Sequence, residues 1–371
     1  NVPHLRFPEF SGEWNKYTIN DLATVVGGGT PDTTVKSYWG GDIQWFTPSE
    51  IGKNKYVDFS KRTITRDGLD NSSAKLLPLH TILLSSRATV GECSIASNEC
   101  TTNQGFQSLI AKQCNIDFLY YLIQTKKKDL IRNACGSTFL EISANEIRKI
   151  KVAVPVQNEQ EQIAKLLSLI DERIATQNKI IEDLKKLKSA ITDLLFHSIA
   201  DAHTIRLGKI AHITNGAGDV QDANTEHQED WYPFFDRSEE LKWFPTYSFD
   251  KEAVIYAGEG QSFYPRYYNG KFALHQRCYA ITDFASCIIP KYCYHFMNTL
   301  NSYFVRNSVG STVPSLRMDI FQKVEIRLPP IPKQQHICKI IDAFYTKLEV
   351  EQRGISILQE LKQFLLSQMF I

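Results

Sequence analysis

The chain has 371 residues, of which 43% are hydrophobic and 22% are charged, a composition typical of a globular protein with room for two domains. Its formal net charge of +1 excludes a polycationic nucleic-acid binder, so any DNA surface has to be local. The sequence shows neither a signal peptide nor an apolar run of about 20 residues, and we expect a cytoplasmic protein. Eight cysteines without a CxxC pair predict reduced thiols and no metal site.

One short phrase occurs twice, as RNACGST at 132–138 and as RNSVGST at 306–312, with an offset of 174 positions. At that offset the chain aligns with itself without a gap through its two most helical stretches. The aligned pairs include Tyr120 with Tyr294, Gln160 with Gln334 and Phe196 with Phe370. Upstream the offset changes to 188, where Leu22 aligns with Ile210. The sequence therefore predicts a duplication in which each copy has a variable front and a constant back.

This duplication divides the chain into four segments. We predict a first domain at 1–155, a first long helix at 156–198, a second domain at 199–329 and a second long helix at 330–371. Short β-branched stretches separated by Gly, Asn and Pro turns predict that each domain is a mixed α/β structure with a helix near 117–133 in the first copy. The predicted fold class is α+β.

The glycine triplet Gly27–Gly29 is followed by Thr30 and Pro31, which end a helix rather than open one. We interpret it as a flexible turn rather than a nucleotide-binding loop. The chain has no GxxxxGK phosphate loop, no HExxH and no amino-methylation motif, and its first 150 residues have no nuclease-type Asp/Glu-x-Lys motif. We therefore predict no catalytic residues in this chain.

Both long helices show apolar residues at alternating steps of four and three, which is typical of a coiled-coil seam. The predicted interface consists of Ile163, Leu167, Ile170, Ile174, Ile181, Leu184 and Lys188 in the first helix, and of Ile337, Ile341, Phe344, Leu348, Glu351, Ile355 and Leu358 in the second. Polar residues interrupt both seams at equivalent places, with Gln177 and Lys188 matched by Glu351 and Lys362.

The equivalent lysines favour antiparallel pairing. Two parallel helices in register would bring Lys188 against Lys362 across an apolar seam, which is unfavourable through repulsion and desolvation. An antiparallel register predicts Lys188 opposite Glu351 and Gln177 opposite Lys362. The domains would then lie at opposite ends of a spacer of roughly 50 Å, comparable to about 14 base pairs, around an approximate two-fold axis. The alternative is two separate amphipathic helices, each packed on its own domain.

Several polar side chains in the two domains suit the reading of DNA bases. Arg matches guanine edges and phosphates, whereas Asn and Gln match adenine edges. The candidates are Arg62, Arg66, Arg87, Asn103, Gln104, Arg266, Tyr267, His275, Gln276 and Arg277. For each one, the alternative is a solvated surface side chain or an amide that satisfies a buried backbone group.

Six motifs together resemble the specificity subunits of type I restriction-modification systems. They are LRFPEFSGEW, GGGTPDT, TTNQGFQSL, the repeated GST, EQEQIAKLL and LLSQMFI, and the resemblance spans essentially the whole chain. It implies two target recognition domains that each read half of a bipartite, non-palindromic site in double-stranded DNA. It also implies helices that set the spacer and bind two modification and two restriction subunits. S-adenosylmethionine, ATP and Mg would belong to those partner subunits.

Two other functions fit parts of the sequence. A self-sufficient enzyme with an unfamiliar active site would methylate or cleave DNA as a purified chain. A coiled-coil adaptor would bind proteins through its two domains and would not bind DNA.

Overall fold

The computed structural model of the protein describes residues 2–136, 140–199, 201–310 and 312–371. The chain forms two compact units: Asn1–Lys179 joins Arg353–Ile371 in the first, and Ile180–Gln352 forms the second. Each unit therefore contains one half of each long helix in addition to its own domain.

The first unit has ten strands and six helices among its described residues, counting the first long helix. Its strands are β1 (Asn15–Thr18), β2 (Ala23–Gly27), β3 (Trp39–Phe46), β4 (Tyr56–Val57), β5 (Arg62–Ile64), β6 (Ile82–Leu84), β7 (Cys93–Ala96), β8 (Cys100–Thr102), β9 (Gln107–Ala111) and β10 (Lys151–Val154). Its helices are α1 (Ile19–Leu22), α2 (Arg66–Asp70), α3 (Ile116–Thr125), α4 (Lys127–Arg132), α5 (Ala144–Lys149) and the long α6 (Gln157–His197), which continues into the second unit. The single helix predicted near 117–133 is divided at Lys126.

Three sheets build the first unit. The largest has the strand order β2-β9-β6-β7-β4, the second has the order β5-β3-β8, and β1 pairs with β10. The three residues of the inner strand β6 are all fully buried because both faces of this sheet are covered. Ile82 and Leu84 face the main core with α3 and α6, whereas Leu83 faces a second core with Phe46 and Phe106.

The second unit repeats this plan with fewer strands among the residues described. Its strands are β11 (His203–Arg206), β12 (His212–Asn215), β13 (Tyr232–Phe235), β14 (Lys242–Phe244), β15 (Phe249–Ala257), β16 (Arg266–Leu274), β17 (Cys278–Thr282) and β18 (Glu325–Leu328). Its helices are α7 (Pro290–Asn298), α8 (Asn301–Asn307), α9 (Met318–Gln322) and the long α10 (Ile331–Met369), which ends in the first unit. The main sheet has the order β12-β17-β15-β16-β13-β14, and β11 pairs with β18.

A buried glutamine at the start of each long helix joins that helix to its domain in the same way. Gln160 accepts a hydrogen bond from the backbone N–H of Asn115 at 3.0 Å and donates one to the carbonyl of Pro155 at 2.9 Å. Gln334 accepts one from the N–H of Ile289 at 2.9 Å and donates one to the carbonyl of Pro329 at 2.9 Å. The predicted repeat therefore extends to individual hydrogen bonds.

The far end of each long helix is fixed by a phenylalanine. In the first unit, Phe370 at the end of the chain stacks on Phe118 of α3, with ring centroids 5.2 Å apart. In the second unit, Phe196 near the end of α6 packs against Tyr292 of α7 at 5.5 Å. Both phenylalanines are buried in the main core of their unit. Each helix thus begins in one hydrophobic core and ends in the other.

The seam lysines show the direction and the register of the two long helices. In the first unit, Lys362 Nζ lies 2.7 Å from Asp171 Oδ1, so the end of α10 packs beside the early part of α6. In the second unit, Lys188 Nζ lies 4.0 Å from the ring centre of Tyr345, so the end of α6 packs beside the early part of α10. The predicted antiparallel direction is confirmed.

The predicted register is wrong. Asp171 and Tyr345 each precede the predicted partners Gln177 and Glu351 by six residues, which corresponds to about 9 Å along a helix. Each lysine reaches to the other helix, but its partner there, the Asp171 carboxylate or the Tyr345 ring, is not one of the predicted seam residues.

The stripe predicted to form the seam is less exposed than its surroundings throughout both helices. Half of the predicted seam residues are buried: Ile163, Leu167, Ile170, Ile181, Ile337, Ile341 and Leu348. The other half are half-buried: Ile174, Leu184, Lys188, Phe344, Glu351, Ile355 and Leu358.

The predicted α+β fold with two mixed domains and two long antiparallel helices is confirmed. Among the described residues, we find no helix with the length and apolarity that a membrane span requires.

We predict that Lys362→Ala lowers the free energy of unfolding by about 1–3 kcal/mol, because it removes the cation that faces a mostly buried carboxylate. The side chains of Lys362 and Asp171 are only 15% and 17% exposed. Urea unfolding of the full chain, followed by circular dichroism, measures the change. Lys186→Ala is the control, since Lys186 is 76% exposed and 3.9 Å from Asp183. Equal losses for the two variants would contradict a role for the Lys362 pair.

Candidate nucleic-acid interface

In the first unit a glycine turn at 27–31 lies directly on a second turn at 103–105. The backbone N–H of Gly29 donates to the carbonyl of Thr102 at 2.8 Å, and the hydroxyl of Thr30 donates to the side-chain oxygen of Gln104. A Cβ atom added to Gly28 would lie 2.0 Å from the carbonyl oxygen of Asn103. Glycine is needed here for close approach, a requirement that the interpretation as a flexible turn did not include.

The second unit contains the same arrangement with a different sequence. Its glycine turn at 215–219 lies on the turn at 275–277, and the N–H of Gly218 donates to the carbonyl of Leu274 at 3.0 Å. The N–H of Gln276 donates back to the carbonyl of Gly218 at 3.1 Å. A Cβ atom on Gly216 would lie 2.0 Å from the carbonyl oxygen of Leu274. We call 103–105 and 275–277 the reader turns.

Beside each site the backbone at the repeated phrase pairs with the backbone six residues further on, an arrangement that we call a hairpin. Cys135 and Glu141 exchange two backbone hydrogen bonds of 2.9 Å, and Val309 and Ser315 exchange two of 2.9 and 2.8 Å. Gly136 and Gly310 have φ angles of 119° and 103°, which strongly favour glycine. The remainder of the phrase at 137, 138 and 311 lies outside the described residues.

Each hairpin fixes the loop that follows the inner strand of the main sheet. The carbonyl of Leu140 accepts a hydrogen bond from the N–H of Ala88 at 3.2 Å, and the carbonyl of Pro314 accepts one from the N–H of Gly260 at 3.0 Å. The same backbone connection is therefore made in each unit, next to the repeated phrase.

The structure brings four of the five candidates of the first unit around its reader turn. Gln104 is exposed on that turn, while the side chain of Asn103 is used within it, accepting from the N–H of Gly105 at 2.9 Å. Arg87 lies in the adjoining loop, where Ser86 N–H bonds to the carbonyl of Gly105 at 2.9 Å, and it is 3.5 Å from Glu141. The fourth is Arg62, at the start of β5.

Arg62 lies on an aromatic floor connected to the glycine turn. Its guanidinium carbon is 3.5 Å from the ring centre of Trp39, and the indole N–H of Trp39 donates to the carbonyl of Asp32 at 3.1 Å. The indole N–H of Trp45 donates to the carbonyl of Gly29 at 2.9 Å. The remaining candidate, Arg66, begins α2 just after β5, is 70% exposed and lies 3.4 Å from Asp70.

Three of the five candidates of the second unit lie on its reader turn, whereas Arg266 and Tyr267 lie on β16. His275, Gln276 and Arg277 share the reader turn, where His275 Nδ1 accepts from the N–H of Arg277 at 3.2 Å and Arg277 pairs with Glu259 at 2.8 Å. Arg266 donates to the carbonyl of Ser238 and is half-buried. Tyr267 is directed elsewhere, because its hydroxyl donates to Glu252 and its ring lies 5.8 Å from that of Tyr294 in α7.

Hydrogen bonds set the ionisation of the acidic groups near these turns. Bonds from the backbone N–H and the hydroxyl of Thr34 lower the pKa of Asp32 in the first unit. In the second unit burial opposes ionisation of Asp236, but the ammonium of Lys242 and two bonds from Ser238 hold the pKa of its carboxyl below the ordinary value. Burial and the bond to Glu252 raise the pKa of Tyr267. The Asp32 and Asp236 carboxylates are therefore charged and the Tyr267 hydroxyl neutral near pH 7.

Sequence reasoning did not identify the two tryptophans that support Arg62. Trp39 and Trp45 are six residues apart in one strand, but β3 is irregular between Trp39 and Ile43, so their contact does not follow from the spacing alone. Within the part of the chain that the structure describes, no group of three or more His, Cys, Asp or Glu side chains is placed to hold a metal ion.

Comparison with known proteins finds one family model that matches twice, over residues 11–186 and 200–363, described as the type I restriction modification DNA specificity domain. The MjaIX specificity subunit of Methanocaldococcus jannaschii is 28% identical, covering 96% of this chain and 92% of that protein. The EcoR124I/EcoR124II specificity subunit of Escherichia coli is 28% identical over 49% of this chain and 46% of its own length. A solved S subunit from M. genitalium has the same fold, with a TM-score of 0.65, 18% identity and coverage of 100% of this chain and 99% of that one.

Proposed function

Since this chain belongs to the type I restriction modification DNA specificity family, we propose that each of its two units reads one half of a bipartite, non-palindromic site in double-stranded DNA. The family predicted from the sequence motifs is confirmed, and the chain is a specificity subunit that recognises a DNA target. The reading of two different half-sites is the further step that we propose.

One observation carries this proposal: the two units present different side chains on the same backbone frame. In both, a glycine turn lies against a reader turn, and a hairpin of the repeated phrase holds the neighbouring loop. Both reader turns expose a glutamine, Gln104 in the first unit and Gln276 in the second, but the exposed arginine differs. In the first unit it is Arg62 on β5, whereas in the second it is Arg277 on the turn itself, where the first turn has Gly105. Donors in different positions would select different base edges. Two unlike readers therefore require two unlike half-sites.

The long helices are proposed to fix how many base pairs separate the half-sites. α6 contains 41 residues and α10 contains 39, both without interruption, so each is about 60 Å long. Because each helix begins in one core and ends in the other, a change in helix length would be transmitted directly to both units. The unread bases between the half-sites would contribute only through their bendability.

We further propose that this chain has no catalytic role and binds two modification subunits and two restriction subunits. S-adenosylmethionine, ATP and Mg are expected on those subunits, because the sequence has no phosphate loop and no amino-methylation motif.

The long helices offer exposed apolar side chains to which partner subunits could bind. In the second unit Ile180, Leu187 and Leu194 follow one another at intervals of seven residues and are 37%, 50% and 63% exposed. In the first unit Ile357 and Phe364 are 64% and 55% exposed.

We predict that exchanging residues 199–329 for the second domain of another specificity subunit changes one half of the methylated site and leaves the other half unchanged. The readers of the first unit lie outside the exchanged segment, which gives the physical reason. Sequencing of modified bases in cells that carry the complete system measures both halves. Loss of specificity in both halves would contradict independent reading.

We predict that the double variant Leu187→Glu, Leu194→Glu no longer co-purifies with the modification subunits. Charges on the exposed stripe formed by Ile180, Leu187 and Leu194 cannot be buried against an apolar partner surface. Circular dichroism should show unchanged helix content, since both side chains are already exposed. The matched control is Ser189→Glu, which adds a negative charge at an exposed position of the same helix. Co-purification of the double variant at the level of the control would contradict binding through this stripe.

A further inference from the structure

Arg62 differs from the other candidate arginines in having no protein partner for its N–H groups. Among the residues that the structure describes, its guanidinium forms neither an ion pair nor a hydrogen bond with another side chain or carbonyl. In contrast, Arg87 faces Glu141 at 3.5 Å, Arg277 pairs with Glu259 at 2.8 Å, and Arg266 donates to a carbonyl. Arg62 is also exposed to solvent. Its hydrogen-bonding capacity is therefore available to a ligand.

The flat face of the Arg62 guanidinium is nevertheless held in place. Its carbon lies 3.5 Å from the ring centre of Trp39 and 5.5 Å from that of Trp45, and the two rings meet edge to face at 5.0 Å. A guanidinium stacked on an indole is attracted by the electron-rich face of the ring. Its N–H groups then lie in a plane parallel to the ring and remain free to bind a ligand at the edge of the guanidinium.

The aromatic floor is itself fixed to the backbone. The two indole N–H groups donate to the carbonyls of Gly29 and Asp32, and Trp45 is only 4% exposed. Between these two carbonyls lies Thr30, whose hydroxyl binds the side-chain oxygen of Gln104. This bond leaves the two amide N–H groups of Gln104, an exposed residue, without a partner among the described residues. The surface beside the glycine turn therefore offers hydrogen-bond donors from both Arg62 and Gln104.

A base edge that accepts two parallel hydrogen bonds fits this surface. In the major groove, guanine offers acceptors at O6 and N7, whereas adenine and cytosine each present an amino donor, and thymine presents only one acceptor. A phosphate can also accept a bidentate arginine, but phosphate binding requires no stacked and fixed plane. We propose that Arg62 is a specificity-determining residue that reads O6 and N7 of one guanine in the half-site of the first unit, with Trp39 as its positioning residue. This inference rests on the proposed function.

The central test is Arg62→Lys in the complete modification complex. Lysine keeps the charge but loses the planar pair of donors, so the preference for guanine at one position of one half-site should fall by about 5- to 150-fold. Sequencing of modified bases measures this preference at every position of the site. Arg132→Lys is the matched control, since Arg132 is 77% exposed on α4 of the same unit, and it should leave the methylated site unchanged.

A modified base identifies the contact atom. Duplexes with 7-deazaguanine at the affected position lack N7, so the wild-type complex should bind them at least tenfold more weakly than the unmodified site. The Arg62→Ala complex, which has no donor at this position, should not distinguish the two duplexes. Equal sensitivity of both complexes to the missing N7 would contradict a contact by Arg62.

The role of Trp39 is tested by conservative rescue. Trp39→Ala should relax the preference at the same guanine position as Arg62→Lys, and Trp39→Phe should restore part of it because a phenyl ring still supports stacking. Circular dichroism and co-purification with partner subunits establish that the variants fold. A Trp39→Ala variant that folds and keeps the full guanine preference would contradict positioning by this ring.

The outcomes separate this inference from the proposed function. If the wild-type complex methylates a bipartite site and Arg62→Lys weakens methylation of all sites equally, Arg62 binds phosphate and only the inference is wrong. A changed base preference in the other half-site would also overturn it. If the wild-type complex shows no bipartite site, the proposed function is wrong and the inference is overturned with it.

Discussion

The rest of the structure depends on two long helices that pack in opposite directions and are each shared by both units. Lys362 beside Asp171 in the first unit and Lys188 beside Tyr345 in the second place the end of each helix against the early part of the other. Phe370 and Phe196 then fix the helix ends in the two main cores. Neither helix therefore belongs to a single core.

Within each unit, constant backbone contacts support variable side chains. The glycine turn needs glycine because a Cβ atom at Gly28 or Gly216 would come within 2.0 Å of a carbonyl oxygen. The hairpin of the repeated phrase needs it because Gly136 and Gly310 have positive φ angles. The exposed positions beside these contacts have no such constraint, so the exposed arginine can be Arg62 in one unit and Arg277 in the other while the frame remains. In the proposed function, this separation allows a reader to change its target without refolding.

The sequence predicted what periodicity and self-alignment determine, and not what depends on tertiary contacts. The equivalent positions of Lys188 and Lys362 were sufficient to predict antiparallel helices, because like charges disfavour the parallel pair. The register was wrong because it assumed partners within the seam, whereas both lysines reach to residues of the other helix that periodicity does not single out. The floor beneath Arg62 was missed because hydrogen bonds from indoles to a distant turn have no local sequence signal. The placement of Tyr267 toward α7, away from the reader turn, likewise follows from packing.

The helices also carry the central proposal, that their length sets the distance between two half-sites. Its most direct test is to insert one heptad into both α6 and α10 and to sequence the modified bases produced by the assembled complex. Each insertion lengthens a helix by about 10 Å, close to three base pairs. We expect the same two half-sites, separated by about three additional base pairs. Methylation of the original site with its original spacing would contradict it.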